Sequence, residues 1–461
     1  MPRQATLPVS GLDHTNVGTV RTIDSFMDGL RDREPHLPLF HQAAEAVARS
    51  VWPTLHQHPA WGELRIFERL LDPDRELRFR VDWVDDEGAV HTETAWRIQH
   101  SDLLGPYKGG LRFTPRLNRD TLRFLAFEQS FKGALTGLPQ GGAKGGSTFD
   151  PHGRSDAEVM RFCQAFMSRL ADHIGAHLDV PAGDMNVGAR ELGYLFGAYR
   201  RVHAGAGRGV LTGKPIASGG IELRTEATGY GLIYTVLEAL RHRDEDLADR
   251  VVAVSGAGNV ALHAAEKAIE EGAVVISLSD TSGTLHVKEG LDAERLDRVR
   301  DAKASGNHLR DVAGDVGGRM VGTTPWHLEP AIALPCAMQN ELGVEDATAL
   351  VKSGCTLVAE GANMPCTAEA VGVFHESGVA RLPGKLANAG GVSVSGFEMA
   401  QNAQLVPWTR DRVDEALRDR MRDMHARTVE HGTEGSHVDY ERGANVTAFL
   451  RLAQAMESQG V

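Results

Sequence analysis

Lysine is scarce in this chain, nine residues against 40 arginines, and basic residues as a whole are outnumbered, 49 against 62 Asp and Glu, for a formal charge of −13. No block of five or six basic residues occurs, so neither nucleic acid nor an anionic membrane surface is expected as the main partner. The four cysteines, Cys163, Cys336, Cys355 and Cys366, lie far apart without CxxC spacing. That excludes a disulfide framework and a zinc site of the usual spacing, and a reducing, cytoplasmic compartment is expected. The 20 histidines form no HExxH pattern, and no metal site is expected. No run approaches the roughly 18 apolar residues of a membrane span, and the opening MPRQATLPVSGLDHTN lacks the apolar core of a signal peptide.

What is abundant is glycine, 51 residues, or about 11% against a usual level of about 7%. Such a surplus points to tight turns and close backbone approach to a ligand. At 461 residues the chain has room for two or three domains of roughly 150 residues each. Small-molecule chemistry is the class left in view.

The few lysines are unevenly placed. Lys108, Lys132 and Lys144 fall within 37 residues, where even scatter predicts fewer than one, while the first 107 and last 76 residues contain none. Arginine keeps its proton in a protein, whereas lysine is tuned by burial and neighbours. The cluster is therefore either a chemical site or a chance grouping of surface lysines.

Apolar spacing predicts helix from His41 to Leu71, then a hairpin through LRFRVDWVDDEGAVHTETAWRI with its turn at Asp85, Asp86, Glu87 and Gly88. A helix over Leu117 to Leu135 carries Gln129 and Lys132, three apart and projecting to one side, and runs into the glycine-rich loop GLPQGGAKGG. The small neighbours of Lys144 leave room for a substrate beside its ammonium, which could polarise a carbonyl, form a Schiff base or act as a base; a plain surface loop is the alternative. The loop resembles a P-loop only superficially, because Ala143 separates glycine from Lys144 and no Ser or Thr follows the lysine directly. An NTPase is rejected. Asp184, in DVPAGD before the helix GARELGYLF, serves either as that helix's N-cap or in acid/base chemistry.

A domain boundary is expected near residue 215, and from about Leu247 strands and helices alternate as in a parallel sheet. The strand VVAVS leads into Gly256-Ala257-Gly258-Asn259-Val260-Ala261, a helix, Gly272 and a second strand closed by Asp280, 22 residues after Gly258. This is the order of a dinucleotide-binding unit, with glycines under the pyrophosphate and a helix N-terminus supplying positive potential. Asp280 suits the ribose hydroxyls of NAD, whereas Thr281, Ser282 and the downstream Lys303 suit a 2′-phosphate. Two further helices, Thr409 to Arg427 and a last one to about Met456, complete the chain.

Long ordered motifs add a resemblance. GPYKGGLRF (Gly105 to Phe113), FEQSFKGALTGLPQGGAKGG (Phe127 to Gly146), DVPAGD, TEATGYG (Thr225 to Gly231), SGAGNVA, LPCAMQNEL (Leu334 to Leu342), AEGANMP (Ala359 to Pro365) and ANAGGVSVSGFEMAQN (Ala387 to Asn402) resemble the glutamate dehydrogenases, most closely the hexameric, NADP-preferring microbial type. The similarity runs from about residue 38 to the end. It implies an α/β fold of two domains: a substrate-binding and assembly domain over 38–215 after an N-terminal segment 1–37, and a Rossmann-type nucleotide domain over 216–408. Helices over 409–461 would return to the first domain, and subunits would form a homohexamer.

Carried over by position, the resemblance implies that Lys108 and Ser395 hold the side-chain carboxylate of glutamate or 2-oxoglutarate. Gln129 and Lys132 would hold the α-carboxylate. Lys144 would be the catalytic lysine and Asp184 the acid/base. Arg224, Thr228 and Asn363 would contact NADP near the nicotinamide and phosphates, with Gly256, Gly258, Asn259 and Val260 at the pyrophosphate turn and Asp280, Thr281 and Lys303 at the adenosine end. Ammonium would be the third substrate. The chain departs from the family pattern at Gln140, Ala143, Thr148, Asn186, Ala189 and within Ile221 to Thr225, where Arg224 itself is kept; no departure removes a residue with an implied chemical role. The competing readings are an NAD-linked version, a branched-chain or aromatic amino-acid dehydrogenase, which would need an apolar pocket where Lys108 and Ser395 stand, and an inert regulatory paralogue.

Overall fold

The computed structural model describes residues 22–203, 207–435 and 437–460. Most of the segment 1–37 therefore lies outside the described residues, although Ile23–Arg33 is a helix capped by Thr22. The single helical stretch expected over His41 to Leu71 is three helices, Pro38–Gln57, Pro59–Glu63 and Ile66–Leu71. Proline at position 59 starts the second, and Arg65 in the left-handed region (φ 50°) separates it from the third.

A first sheet contains β1 (Arg75–Val84), β2 (Val90–Ser101), β3 (Tyr107–Phe113), β4 (Gly142–Ser147) and β5 (Asp179–Gly183) in the order β1-β2-β4-β3-β5. The β1–β2 hairpin turns where the alternating pattern stops. One face of the sheet is apolar: Leu111 and Phe113 pack with Phe149, and with Phe162 and Phe166 of the helix Asp156–Leu170. On the other face the helix Arg119–Thr136 crosses β4, where a Cβ on Gly142 would stand 2.0 Å from Ser130 Oγ.

That contact corrects the expectation of a loop around Lys144. GAKGGS is β4, a buried strand paired on both sides. Glycine has little intrinsic strand preference, but close helix–strand approach selects it here and tertiary packing overrides propensity.

The second sheet holds β6 (Val251–Val254), β7 (Val274–Asp280), β8 (Gly283–His286), β9 (Arg319–Val321), β10 (Ile332–Leu334), β11 (Leu357–Ala359) and β12 (Ala380–Leu382), in the order β12-β11-β10-β6-β7-β8-β9. The run from β12 to β7 is parallel, as the alternation predicts. β8 instead pairs antiparallel with β7. Only Thr281 and Ser282 link them, too few residues for a crossover, so the chain can only reverse.

The last helices, Arg410–Gly432 and Tyr440–Gln459, pack back on the first half of the chain. Asn445 donates to Ser50 at 2.8 Å, Trp61 donates to Glu457 at 3.0 Å, and Arg451 donates to the carbonyls of Ala134 and Leu138 at 3.0 Å. A fully buried ion pair, Lys214–Glu398 at 2.8 Å, joins the end of the first unit to the helix Gly390–Gln404 of the second. Among the described residues no helix is long and apolar enough to cross a membrane.

Candidate active site

Strand alternation decides which side chains meet. Lys108, Gly110 and Arg112 occupy alternate positions of β3 and share a face. Register sets Lys144 of β4 beside Gly110 on one flank and Ala182 of β5 on the other, which brings Asp184, just past β5, to the same face. Lys144 Nζ lies 3.2 Å from Asp184 Oδ1, and Arg112 Nε donates to Asp184 Oδ2 at 2.7 Å. Glycine at 110 lets them meet: a Cβ there would stand 2.7 Å from Asp184 Cβ and 3.3 Å from Lys144 Nζ.

This geometry removes one of the two roles open for Asp184, that of helix N-cap. Gly188 is the N-cap of the helix Ala189–Val202, with Glu191 accepting its backbone N–H at 2.8 Å, so the Asp184 carboxylate is not spent on capping. Burial raises that carboxyl, but Lys144 and Arg112 outweigh burial and hold it well below the usual carboxylate range. Lys144 is itself lowered, by burial against the pull of Asp184. Nearby Asn186, one of the departures from the family pattern, takes the left-handed conformation (φ 59°) that asparagine tolerates, and donates to the carbonyl of Phe113 at 3.0 Å.

The pair opens into a cleft of about 570 Å³ between the two halves of the chain. Lys108, Gln129, Lys132, Lys144 and Asp184 line it from the first half, and Arg224, Thr228, Val260, Asn363 and Ser395 from the second. Two cationic sites flank Lys144. At one, Lys108 is 2% exposed and pushed down to about 7 by burial and by the nearby Arg224. Arg224 lines the cleft beside Thr228, and its Nε donates to Ser395 Oγ at 3.0 Å. Buried Leu223, the preceding residue, adopts φ 62°, a strained conformation for leucine that sets the course of the chain into Arg224. At the other site Lys132, pushed down to about 8 by burial and by Lys144, donates to Asn388 and, at 3.4 Å, to Asn363.

The nucleotide end is built as the motif predicts. Gly256 has φ 84°, and its N–H donates to Ser279 Oγ at 2.8 Å, tying the turn to β7. Gly258 starts the helix Asn259–Glu270 without a side-chain cap, and a Cβ on it would meet open space. An uncapped helix N-terminus beside open space fits a pyrophosphate. Asn259 is turned away, donating to the carbonyl of Thr225 at 2.6 Å. Asp280, Thr281 and Lys303 stand apart from the cleft, at the end of β7, where Lys303 donates to Asp280 at 2.8 Å.

Three residues that sequence reasoning passed over belong to the site: Gly110, Arg112 and Asn388. Arg112 had a visible signal, four positions beyond Lys108 in a strand. Asn388 had none.

Two family models cover most of the chain. Glu/Leu/Phe/Val dehydrogenase, dimerisation domain, matches residues 73–201, and Glutamate/Leucine/Phenylalanine/Valine dehydrogenase matches residues 219–460. The NADP-specific glutamate dehydrogenase of Escherichia coli (strain K12) is 48% identical over 442 residues, 95% of this chain and 99% of that protein. The NAD(P)-specific glutamate dehydrogenase of Xylanibacter ruminicola is 45% identical over 438 residues, 94% of this chain and 98% of that protein. The crystal structure of Plasmodium falciparum glutamate dehydrogenase superposes with a TM-score of 0.92 at 41% identity, covering 95% of this chain and 94% of that one. With likeness of this extent in sequence and in fold, the chain belongs to the Glu/Leu/Phe/Val dehydrogenase family.

Proposed function

We propose that the chain is an NADP-linked glutamate dehydrogenase, catalysing the reversible oxidative deamination of L-glutamate to 2-oxoglutarate and ammonia and, in reverse, assimilating ammonium. The observation that carries this reading is the pair of separated cationic sites on either side of Lys144 and Asp184. A dicarboxylate substrate needs two such sites, and a branched-chain or aromatic substrate would leave Lys108 and Arg224 facing an apolar side chain. Lys108, Ser395 and Arg224 take the distal carboxylate; Gln129 and Lys132 take the α-carboxylate. For Lys132 this means exchanging Asn388 for the substrate.

The coenzyme, when bound, supplies the hydride acceptor at Cα. The chain does the rest. Asp184 takes the proton from the substrate amine, and Lys144 polarises the attacking water and the carbonyl oxygen that forms. The two roles are coupled through their ion pair. As Lys144 turns to the substrate oxygen, Asp184 loses one of its two cations, its basicity rises, and Arg112 keeps it oriented. Drawing substrate between the two halves excludes water from the reacting atoms.

The dimerisation-domain match supports self-association, and a cytoplasmic homohexamer is the assembly the resemblance implies. The test is a set of initial rates with ammonium, 2-oxoglutarate or 2-oxoisocaproate, and NADPH or NADH. Preference for 2-oxoglutarate with NADPH is expected. Preference for 2-oxoisocaproate would establish the branched-chain reading, preference for NADH the NAD-linked one, and no turnover with any pair the inert paralogue.

The depressed lysines give a pH prediction. In the free enzyme Lys108 and Lys132 lose their charge as pH rises through about 7 and about 8, whereas bound carboxylates hold the protons on. Thus kcat/KM for 2-oxoglutarate should fall with rising pH, by about tenfold per pH unit for each lysine past its titration point, while kcat changes less. Lys108→Arg should remove the lower of the two limbs. A kcat/KM that is flat from about pH 6.5 to 9 would show that these lysines do not meet the substrate as free cations.

A further inference from the structure

The open space does not end at Lys132 and Lys144. A narrower cavity of about 120 Å³ continues behind them, sharing Gln129, Lys132, Lys144 and Asn363 with the cleft. It runs between Ala46 and Glu128, on the helices Pro38–Gln57 and Arg119–Thr136 of the first half, and Ala368 and Val371, on the helix Ala368–Ser377 of the second. Its far end shares Ala46, Val371, Arg381 and Glu441 with a third cavity of about 280 Å³. Arg49, His375 and His437, all exposed, border that outer cavity, and none of them lines the cleft. Shared walls thus join the three cavities in series, from the reacting groups to a second opening.

Size and charge limit what can use this route. The middle section has room for several waters, at about 10–15 Å³ each, but only about a fifth of the volume of the cleft in which both organic ligands must meet. Ammonium and ammonia are the size of water. Between the outer cavity and the two lysines, three carboxylates stand against two cations: Arg381 donates to Glu360 at 2.8 Å and to Glu441, and Lys385 donates to Glu128 at 3.2 Å. The surplus negative charge repels a dicarboxylate and admits a small cation. The outer cavity carries both signs, Arg49 and Arg442 with Asp439. Such a route answers a need of the reaction. With a dicarboxylate spanning the two cationic sites and the coenzyme against Cα, the organic ligands fill the cleft, and drawing the two halves together shuts its mouth. The third reactant must still reach the carbonyl carbon beside Lys144.

We infer that this passage delivers ammonium nitrogen to the closed site, separately from the two larger reactants, and that Ala46 and Ala368 keep it open by being small. The inference rests on the dehydrogenase reading above. It assigns the passage no covalent step, only transport of the smallest substrate past the other two.

The experiment fills the passage from either wall of the full-length protein. Ala46→Phe adds a ring from the first half and Ala368→Phe one from the second. Ala46 is half-buried and Ala368 exposed, so each ring displaces water and not core, and thermal unfolding should be unchanged. Initial rates of amination are measured with ammonium varied at saturating 2-oxoglutarate and NADPH, and again with 2-oxoglutarate varied at saturating ammonium. In each variant kcat/KM for ammonium should fall at least about fivefold, while kcat/KM for 2-oxoglutarate stays within about twofold of the natural protein. Val371→Ala, which widens the passage, should not lower kcat/KM for ammonium. An unchanged value for ammonium in the folded Phe variants, or equal losses for ammonium and 2-oxoglutarate, would overturn the inference. Absence of amination by the natural protein would overturn the dehydrogenase reading and the passage with it. Amination of a different 2-oxo acid, with the loss for ammonium alone still seen in both Phe variants, would change the substrate and leave the passage standing.

Discussion

Replacing Lys144 by alanine is expected to lower turnover by at least about 10²-fold, the effect of removing one preorganised charge at a reacting oxygen. Binding of NADPH should stay close to normal, since the coenzyme's turn and helix lie in the other half of the chain. The substitution leaves Asp184 paired with Arg112, so no buried carboxylate is stranded and the fold should persist. Lys144→Arg is the sharper comparison. Arginine keeps a positive charge but cannot release a proton, and its planar fork needs more room than the glycines about β4 leave. It should cost nearly as much as alanine, whereas Lys108→Arg and Lys132→Arg, which keep the charge a carboxylate needs, should cost less. Rates of 2-oxoglutarate amination, with coenzyme binding followed by fluorescence, check both points. Equal losses for all three arginine variants would mean that shape, not proton chemistry, keeps lysine in the cluster.

The lysines could be singled out because lysine is rare here, and the helical spacing of Gln129 and Lys132 already put them on one side. The nucleotide turn was legible too, since its glycines, flanking strands and Asp280 are local in sequence. What local pattern does not carry is pairing between distant strands. Gly110 and Arg112 join the site only because β3 lies between β4 and β5 in a particular register, and nothing within nine residues of Gly110 states that order. The same applies to β4 itself, whose glycines suggest a loop until the helix Arg119–Thr136 is laid across it. His308 reaches Asp280 across 27 intervening positions and a hairpin that reverses β8. That Arg224 donates to Ser395 was likewise not legible, because the strained backbone at Leu223 sets its course just before the helix that starts at Ala227.

Asp184→Asn should lower kcat by about 10²-fold or more, the usual cost of losing a positioned proton acceptor, with a smaller change in KM for 2-oxoglutarate. The amide has nearly the same shape and can still accept one hydrogen bond from Arg112, so orientation is largely kept while the proton acceptor is lost. Its structural cost should also be visible: Lys144 and Arg112 would then face each other without the anion between them, which lowers Lys144 further. The sign follows directly. In the variant, Lys144 should lose its charge at lower pH than in the natural protein, so the residual activity should fall off earlier on the alkaline side. A structural role for Asp184 alone would give a different result, a loss of stability and coenzyme binding with kcat largely retained in the folded fraction. Thermal unfolding and NADPH binding measured beside kcat separate the two, and a kcat within about threefold of the natural protein would remove Asp184 from the proton path.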